Sequence, residues 1–170
     1  MKELPYIRLR AIEPEDLDLL YRIENDRELW NVGSTNVPYS RYTLHDYLAT
    51  SSDDIYADRQ VRLVIENSEG EAVGLADIVR FEPQHQRAET GIVILNHQRR
   101  RGYALAALFQ LSEYALNILH LHQLYAVVKA DNQAAMHLFS AARFVPQTML
   151  KDWLFDGRNY HDAWLMQSFL

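Results

Sequence analysis

Residues 97–108 read HQRRRGYALAAL: three arginines in a row, then Gly102, then an apolar run. Ala104, Leu108, Leu111, Ala115 and Ile118 recur every three or four residues. That spacing predicts a long amphipathic helix from about Gly102 to Leu119. Before the arginines, residues 87–95 (RAETGIVIL) are β-rich, and so are residues 123–130 (QLYAVVKA) after the helix. Strand, basic turn, helix and strand make a βαβ crossover. It sets the two strands parallel and puts the turn at a strand's carboxyl end. Open α/β sheets gather their ligands at such ends.

Outward from this unit the pattern stays regular. Ile7, Leu9 and Ala11 alternate with Arg8 and Arg10, so residues 6–12 read as a strand. Pro14, Glu15 and Asp16 suit a first helical turn, and Leu17, Leu20 and Tyr21 carry a helix to about Leu29. A second helix is expected over Ser40 to Leu48. Residues 61–66 and 72–81 flank Asn67-Ser68-Glu69-Gly70 and read as a hairpin. A short helix is expected over 132–142, then strands at 148–155 and 160–168 around Asp156-Gly157, a hairpin signal. No Pro/Gly/Ser-rich linker divides the 170 residues, so residues 1–170 read as one domain.

Composition narrows the function classes. A net charge of −6 argues against bulk attraction to nucleic acid or to an anionic membrane. The chain has no cysteine, which removes disulfides, zinc–thiolate sites and thiol nucleophiles. MKELPYIRLR lacks an apolar leader core, and no run of 18 apolar residues occurs, so a cytoplasmic protein is the default expectation.

An acidic chain that collects arginines at a helix start invites a specific reading. The first N–H groups of a helix lack partners, and the helix dipole adds positive character there. Gly102 permits a tight turn and a close approach, Ala104 leaves space, and arginine forks suit phosphate oxygens. The stretch describes a phosphate cradle. A solvated basic face capping a loop is the other reading that the spacing allows.

The segment Arg99-Arg100-Arg101-Gly102-Tyr103-Ala104 resembles the Gln/Arg-x-x-Gly-x-Gly/Ala turn of the GNAT-type N-acetyltransferases. Asp131-Asn132-Gln133-Ala134-Ala135-Met136-His137-Leu138-Phe139 resembles that family's N-x-x-A-x-x-x-Y segment. The closing hairpin Phe155–Tyr160 and the opening Leu9–Asp16 fit as well, with the ribosomal-protein N-terminal and spermidine N-acetyltransferases as the nearest branch. The resemblance implies an α/β (α+β) fold: a mixed, mostly antiparallel sheet of six to seven strands flanked by about four helices, in the order β-α-α-β-β-β-α-β-α-β-β. It implies acetyl-CoA as co-substrate, no metal, and a primary amine as acceptor: a protein N-terminus, a polyamine or another small amine. By analogy it also allows a homodimer.

The same resemblance assigns roles. The backbone of Ile94 and Leu95 would pair with the pantetheine arm, and the amides from Arg100 to Ala104 in the Arg99–Ala104 turn would hold the pyrophosphate. Asn132 would touch the pantetheine or the water around it, Phe139 would lie beside the sulfur, and an N–H near Leu95 would meet the carbonyl oxygen. Glu89, on the strand entering the turn, is the candidate base for the amine, because related enzymes carry a glutamate at a similar position. Its other reading is a surface carboxylate paired with Arg87 or with an adjacent strand.

Three positions depart from the family. Arg100 and Arg143 stand where glycine is common, and Phe139 replaces a tyrosine that often protonates the departing thiolate. Ser140, Tyr125 and Tyr160 are the substitutes to weigh. Phe139 also motivates a second expectation, a non-catalytic CoA-binding module. His120 and His122 read as a helix end and strand entry rather than metal ligands. Trp30, Tyr39, Tyr42 and Tyr47 are candidates for an acceptor pocket or for core, and Asp53 and Asp54 for cation attraction or a solvated loop.

Overall fold

The computed structural model describes residues 3–30 and 37–170. Its centre is a seven-stranded sheet: β1 (Ile7–Ala11), β2 (Val61–Asn67), β3 (Ala72–Glu82), β4 (Arg87–Ile94), β5 (Gln123–Lys129), β6 (Val145–Phe155) and β7 (Tyr160–Phe169). The strand order is β1-β2-β3-β4-β5-β7-β6, antiparallel except for β4 against β5. This is the mixed, mostly antiparallel sheet that the family resemblance implies.

The parallel pair is short. Arg87, Ala88 and Glu89 pair with Gln123, Leu124 and Tyr125, and the pairing stops there. β4 runs on to Ile94 and β5 to Lys129. Beyond the Glu89–Tyr125 rung the two strands therefore part and leave a gap in the middle of the sheet.

Each face of the sheet carries its own core. Helices α5 (Tyr103–Asn117) and α6 (Gln133–Ala141) cover one face. Ala107, Leu108, Leu111 and Ala115 of α5 meet Ile78, Ala88, Leu124 and Ala126 there, with Phe139 of α6. The other face packs Val64 and Leu75 against Leu20 and Ile23 of α1 (Leu17–Glu24) and Leu44 of α3 (Arg41–Thr50). Alternation along β4 and β5 divides their side chains between the two faces.

Sequence spacing missed two single-turn helices, so among the described residues six helices flank the sheet where about four were expected. The single helix expected up to Leu29 is broken, with α2 (Arg27–Trp30) following α1. Asn25 causes the break. Its carboxamide donates to the carbonyls of Tyr21 and Tyr39 and accepts from the N–H of Tyr39. Asp26 then accepts from Glu28 N–H at 3.0 Å and starts the next turn. The other extra turn is α4 (Ile55–Asp58), capped by Asp54, which accepts from Tyr56 N–H at 2.9 Å. β6 also starts earlier than predicted, at Val145, because it is the sheet edge and an edge tolerates Pro146.

Candidate active site

The turn between β4 and α5 is shaped by its backbone. Gly102 caps α5 at φ +89°, and Arg100 also sits left-handed at φ +62°. The first intrahelical donor is Ala106, whose N–H reaches Gly102 O at 3.1 Å. None of the N–H groups from Arg100 to Leu105 donates to a described residue. Consecutive unpaired amides at a helix start make an anion cradle. Arg99 points elsewhere: its Nε donates to Ile94 O at 3.1 Å and ties the turn to the end of β4.

The β4 edge facing the gap has a definite polarity. Leu95 N–H donates to Val73 O at 2.9 Å, which commits that amide to β3. Antiparallel alternation then turns the polar groups of Ile92 and Ile94 toward β5, where pairing has ended. Of the two residues expected to meet an extended arm, Ile94 faces the gap and Leu95 does not. The Leu95 amide itself is thus already bonded to Val73 O. On the α1 face, a cavity of about 250 Å³ runs beside this part of β4, lined by Arg22, Ile23, Leu29, Val93, Leu95 and Arg99.

Glu89 stands on the last paired rung, with Val79 on one side and Tyr125 on the other. Ala88 and Thr90 are buried beneath α5, so Glu89 points to the opposite face. Arg80 of β3 donates to Glu89 Oε2 at 2.6 Å, while Arg87 pairs with Glu82. The carboxyl is mostly covered, and burial pushes its pKa up while Arg80 pulls it back. The adjacent-strand pair weighed for Glu89 thus exists, and the group still remains harder to ionise than an ordinary glutamate.

Next to it lies a network that sequence reasoning missed. Arg62 of β2 donates to Asp77 of β3 through Nε at 2.9 Å and also bonds Glu24 of α1. Burial pushes the Asp77 carboxyl up against the pull of Arg62. Tyr47 of α3 borders this network, and its phenol is raised by burial as well. The signal in the sequence was Arg62 and Asp77, each flanked by apolar residues within the strands VRLVIE and AVGLADIVRF.

The other candidates resolve locally. Asn132 caps α6: its side-chain oxygen accepts from Ala135 N–H at 3.1 Å, and its NH2 donates to no described residue. Phe139 is buried, edge-on to Phe144 with ring centres 5.1 Å apart. Arg143 is left-handed at φ +69°, which accounts for the family glycine there. His120 follows α5 at φ +53°, and His122 stacks on Phe169. Tyr42 is exposed, whereas Trp30 donates to Glu24 O at 3.0 Å. Asp53 and Asp54 bond within their own turn.

The family model described as "Acetyltransferase (GNAT) domain" matches residues 7–145. The chain belongs to the GNAT acetyltransferases. This GNAT chain is similar to the spermidine N(1)-acetyltransferase of Vibrio cholerae, 26% identical over 165 residues, which cover 95% of this chain and 94% of that protein. The Escherichia coli K12 spermidine N(1)-acetyltransferase is 26% identical over 157 residues, covering 92% of this chain and 82% of that one. Among solved structures, the V. cholerae spermidine N-acetyltransferase in complex with CoA and spermine superposes with a TM-score of 0.85 at 26% identity, covering 96% and 95% of the two chains. A dodecameric structure of the V. cholerae enzyme in an intermediate state gives a TM-score of 0.79 at 26% identity, covering 96% and 93%. The GNAT chain is an acetyl-CoA-dependent N-acetyltransferase acting on an amine. No described helix is long and apolar enough to cross a membrane.

Proposed function

We propose that the chain acetylates a polyamine, with Glu89 as base and the gap between β4 and β5 as the seat of the thioester. The carrying observation is the gap itself: strands that part after Glu89 and Tyr125, beside a turn whose amides from Arg100 to Leu105 have no described partner. These amides suit the pyrophosphate, and Arg100 and Arg101 suit its charge. The Ile92 and Ile94 edge suits the amide-bearing pantetheine arm, with the Asn132 NH2 across the gap as a further donor.

A polyamine is cationic at neutral pH, so one nitrogen must lose a proton before it attacks. Glu89 faces the side of the sheet where Glu24 and Asp77 also lie, and its raised pKa suits it to accept that proton. The net charge of −6 and the spermine bound by the V. cholerae neighbour support a polycationic acceptor. An oligomer is part of this reading. The V. cholerae relative forms a dodecamer, and the edge strand β6 with its hairpin exposes Trp153, Phe155 and Tyr160.

Thiol release from acetyl-CoA with spermidine, spermine and an N-terminal peptide tests the proposal. Spermidine and spermine should give the higher kcat/KM, and Glu89→Gln should lose about 10²–10⁴-fold. A variant at full rate would overturn the base assignment. Acetyl-CoA binding without turnover on any of these amines would favour the non-catalytic module.

A further inference from the structure

Phe139 leaves this acetyltransferase without the tyrosine expected to protonate the departing sulfur. The proposed seat of the thioester has a second side. Leu124, Ala126 and Val128 of β5 point into the core under α5, so Tyr125 points to the opposite face, the side of Glu89. Tyr125 and Glu89 are partners on the rung that closes the gap, with backbones ~5 Å apart as neighbouring strands require. The phosphate end of the gap is the Gly102 turn at the far end of β4. An acyl thioester that enters there, phosphates first bound, brings its sulfur down to where the strands close. The gap passes through the sheet, so the sulfur meets side chains on both faces. Phe139 lies on the α5 face and offers only carbon.

We infer that Tyr125 donates the proton to the CoA sulfur, taking the role that Phe139 cannot fill. This rests on the proposed seat of the thioester in the gap. Among the substitutes weighed from sequence, the other two fall away. Ser140 is exposed on α6, and Tyr160 is 65% exposed in the hairpin, where it lies on Phe155 with ring centres 4.9 Å apart. Tyr125 is half-buried at the apex. Burial and the Glu89 carboxylate hold its phenol above the usual value, so it carries its proton at neutral pH, and Arg80 stands by to moderate the charge of the pair.

The step balances. Glu89 first passes the ammonium proton on to water; the neutral amine nitrogen then bonds to the carbonyl carbon and loses its second proton to Glu89. The carbon–sulfur bond breaks with its electron pair on sulfur, and sulfur takes the Tyr125 proton. The proton on Glu89 then restores the phenol, and the products are the amide and CoA thiol.

Leaving-group dependence is the test, because a structural role for Tyr125 would not produce it. Tyr125→Phe should lower kcat with acetyl-CoA about 10²-fold. Its acetyl-CoA Kd, measured by titration, should match the native protein. With the acetyl ester of an acidic aryl thiol, whose thiolate leaves unaided, the native protein and the variant should react at similar rates. Adding Phe139→Tyr to the variant should restore rate by supplying a phenol from the other face. Full acetyl-CoA rate in Tyr125→Phe, or an equal loss with both thioesters, overturns the role of Tyr125. Failure of the native protein to bind acetyl-CoA would instead overturn the reading of the gap.

Discussion

Gly102 lies against Pro5: a Cβ built on Gly102 would stand 2.9 Å from the Pro5 Cδ. The N-terminal segment ahead of β1 thus braces the turn proposed to receive the phosphates. Gly102 meets two demands at once, a left-handed φ of +89° and a close neighbour.

Gly102→Ala should therefore do more than strain one backbone position. The φ alone costs about 1 kcal/mol for a residue with a Cβ. The Pro5 contact adds a displacement of the turn, so acetyl-CoA should bind at least tenfold more weakly. Gly157→Ala is the matched control, since Gly157 has φ +95° and nothing within 4 Å of its added Cβ. It should lose stability by the same φ cost and keep its affinity. Calorimetric titration and urea denaturation of both variants check this, and equal affinities would refute the role of the Pro5 contact.

Arg80 tunes the ionisation of Glu89, the proposed base. A base must be deprotonated, so kcat/KM should rise with pH through the Glu89 pKa, which burial holds above the ordinary carboxylate value. Arg80 favours the charged form. Arg80→Ala should therefore raise that pKa further and move the acid limb of the profile to higher pH. The pH–rate profiles of the native protein and the variant measure the displacement. An unmoved limb, or one moved to lower pH, would mean that Glu89 is not the group that titrates.

Asn132 permits its two roles to be separated. Its side-chain oxygen caps α6, and its NH2 is the group assigned to the pantetheine arm. Asn132→Asp keeps a good cap and removes the NH2, so stability should hold while the acetyl-CoA KM rises severalfold. Asn132→Ala should also lose about 1 kcal/mol of stability. Thermal melting and steady-state kinetics on the pair distinguish the roles, and an unchanged KM in Asn132→Asp would leave Asn132 as a cap alone.

Much of this arrangement was legible in the order of residues. The βαβ unit around HQRRRGYALAAL followed from period-two strands on either side of a helical stripe, and Gly102 marked the turn. The break at Asn25 was not legible, because it depends on Tyr39 arriving from elsewhere in the chain to bond its carboxamide. The departures at Arg100 and Arg143 acquired a physical meaning only with their backbone angles, both left-handed. Leu95 could not be told from Ile94 until the register of β3 showed which amide was already spent on Val73.

The sequence by itself determined most of the elements, the βαβ unit with its Gly102 turn and the family, because local periodicity, turn chemistry and motif spacing are properties of neighbours along the chain. Only the tertiary structure decided where β4 and β5 part, that Arg80 is the partner of Glu89, and that Tyr125 shares its rung while Phe139 faces the other side. Those relations depend on strand register and on which face of the sheet each side chain takes. A shift of one residue in register would reverse every such assignment, and long-range pairing alone fixes it.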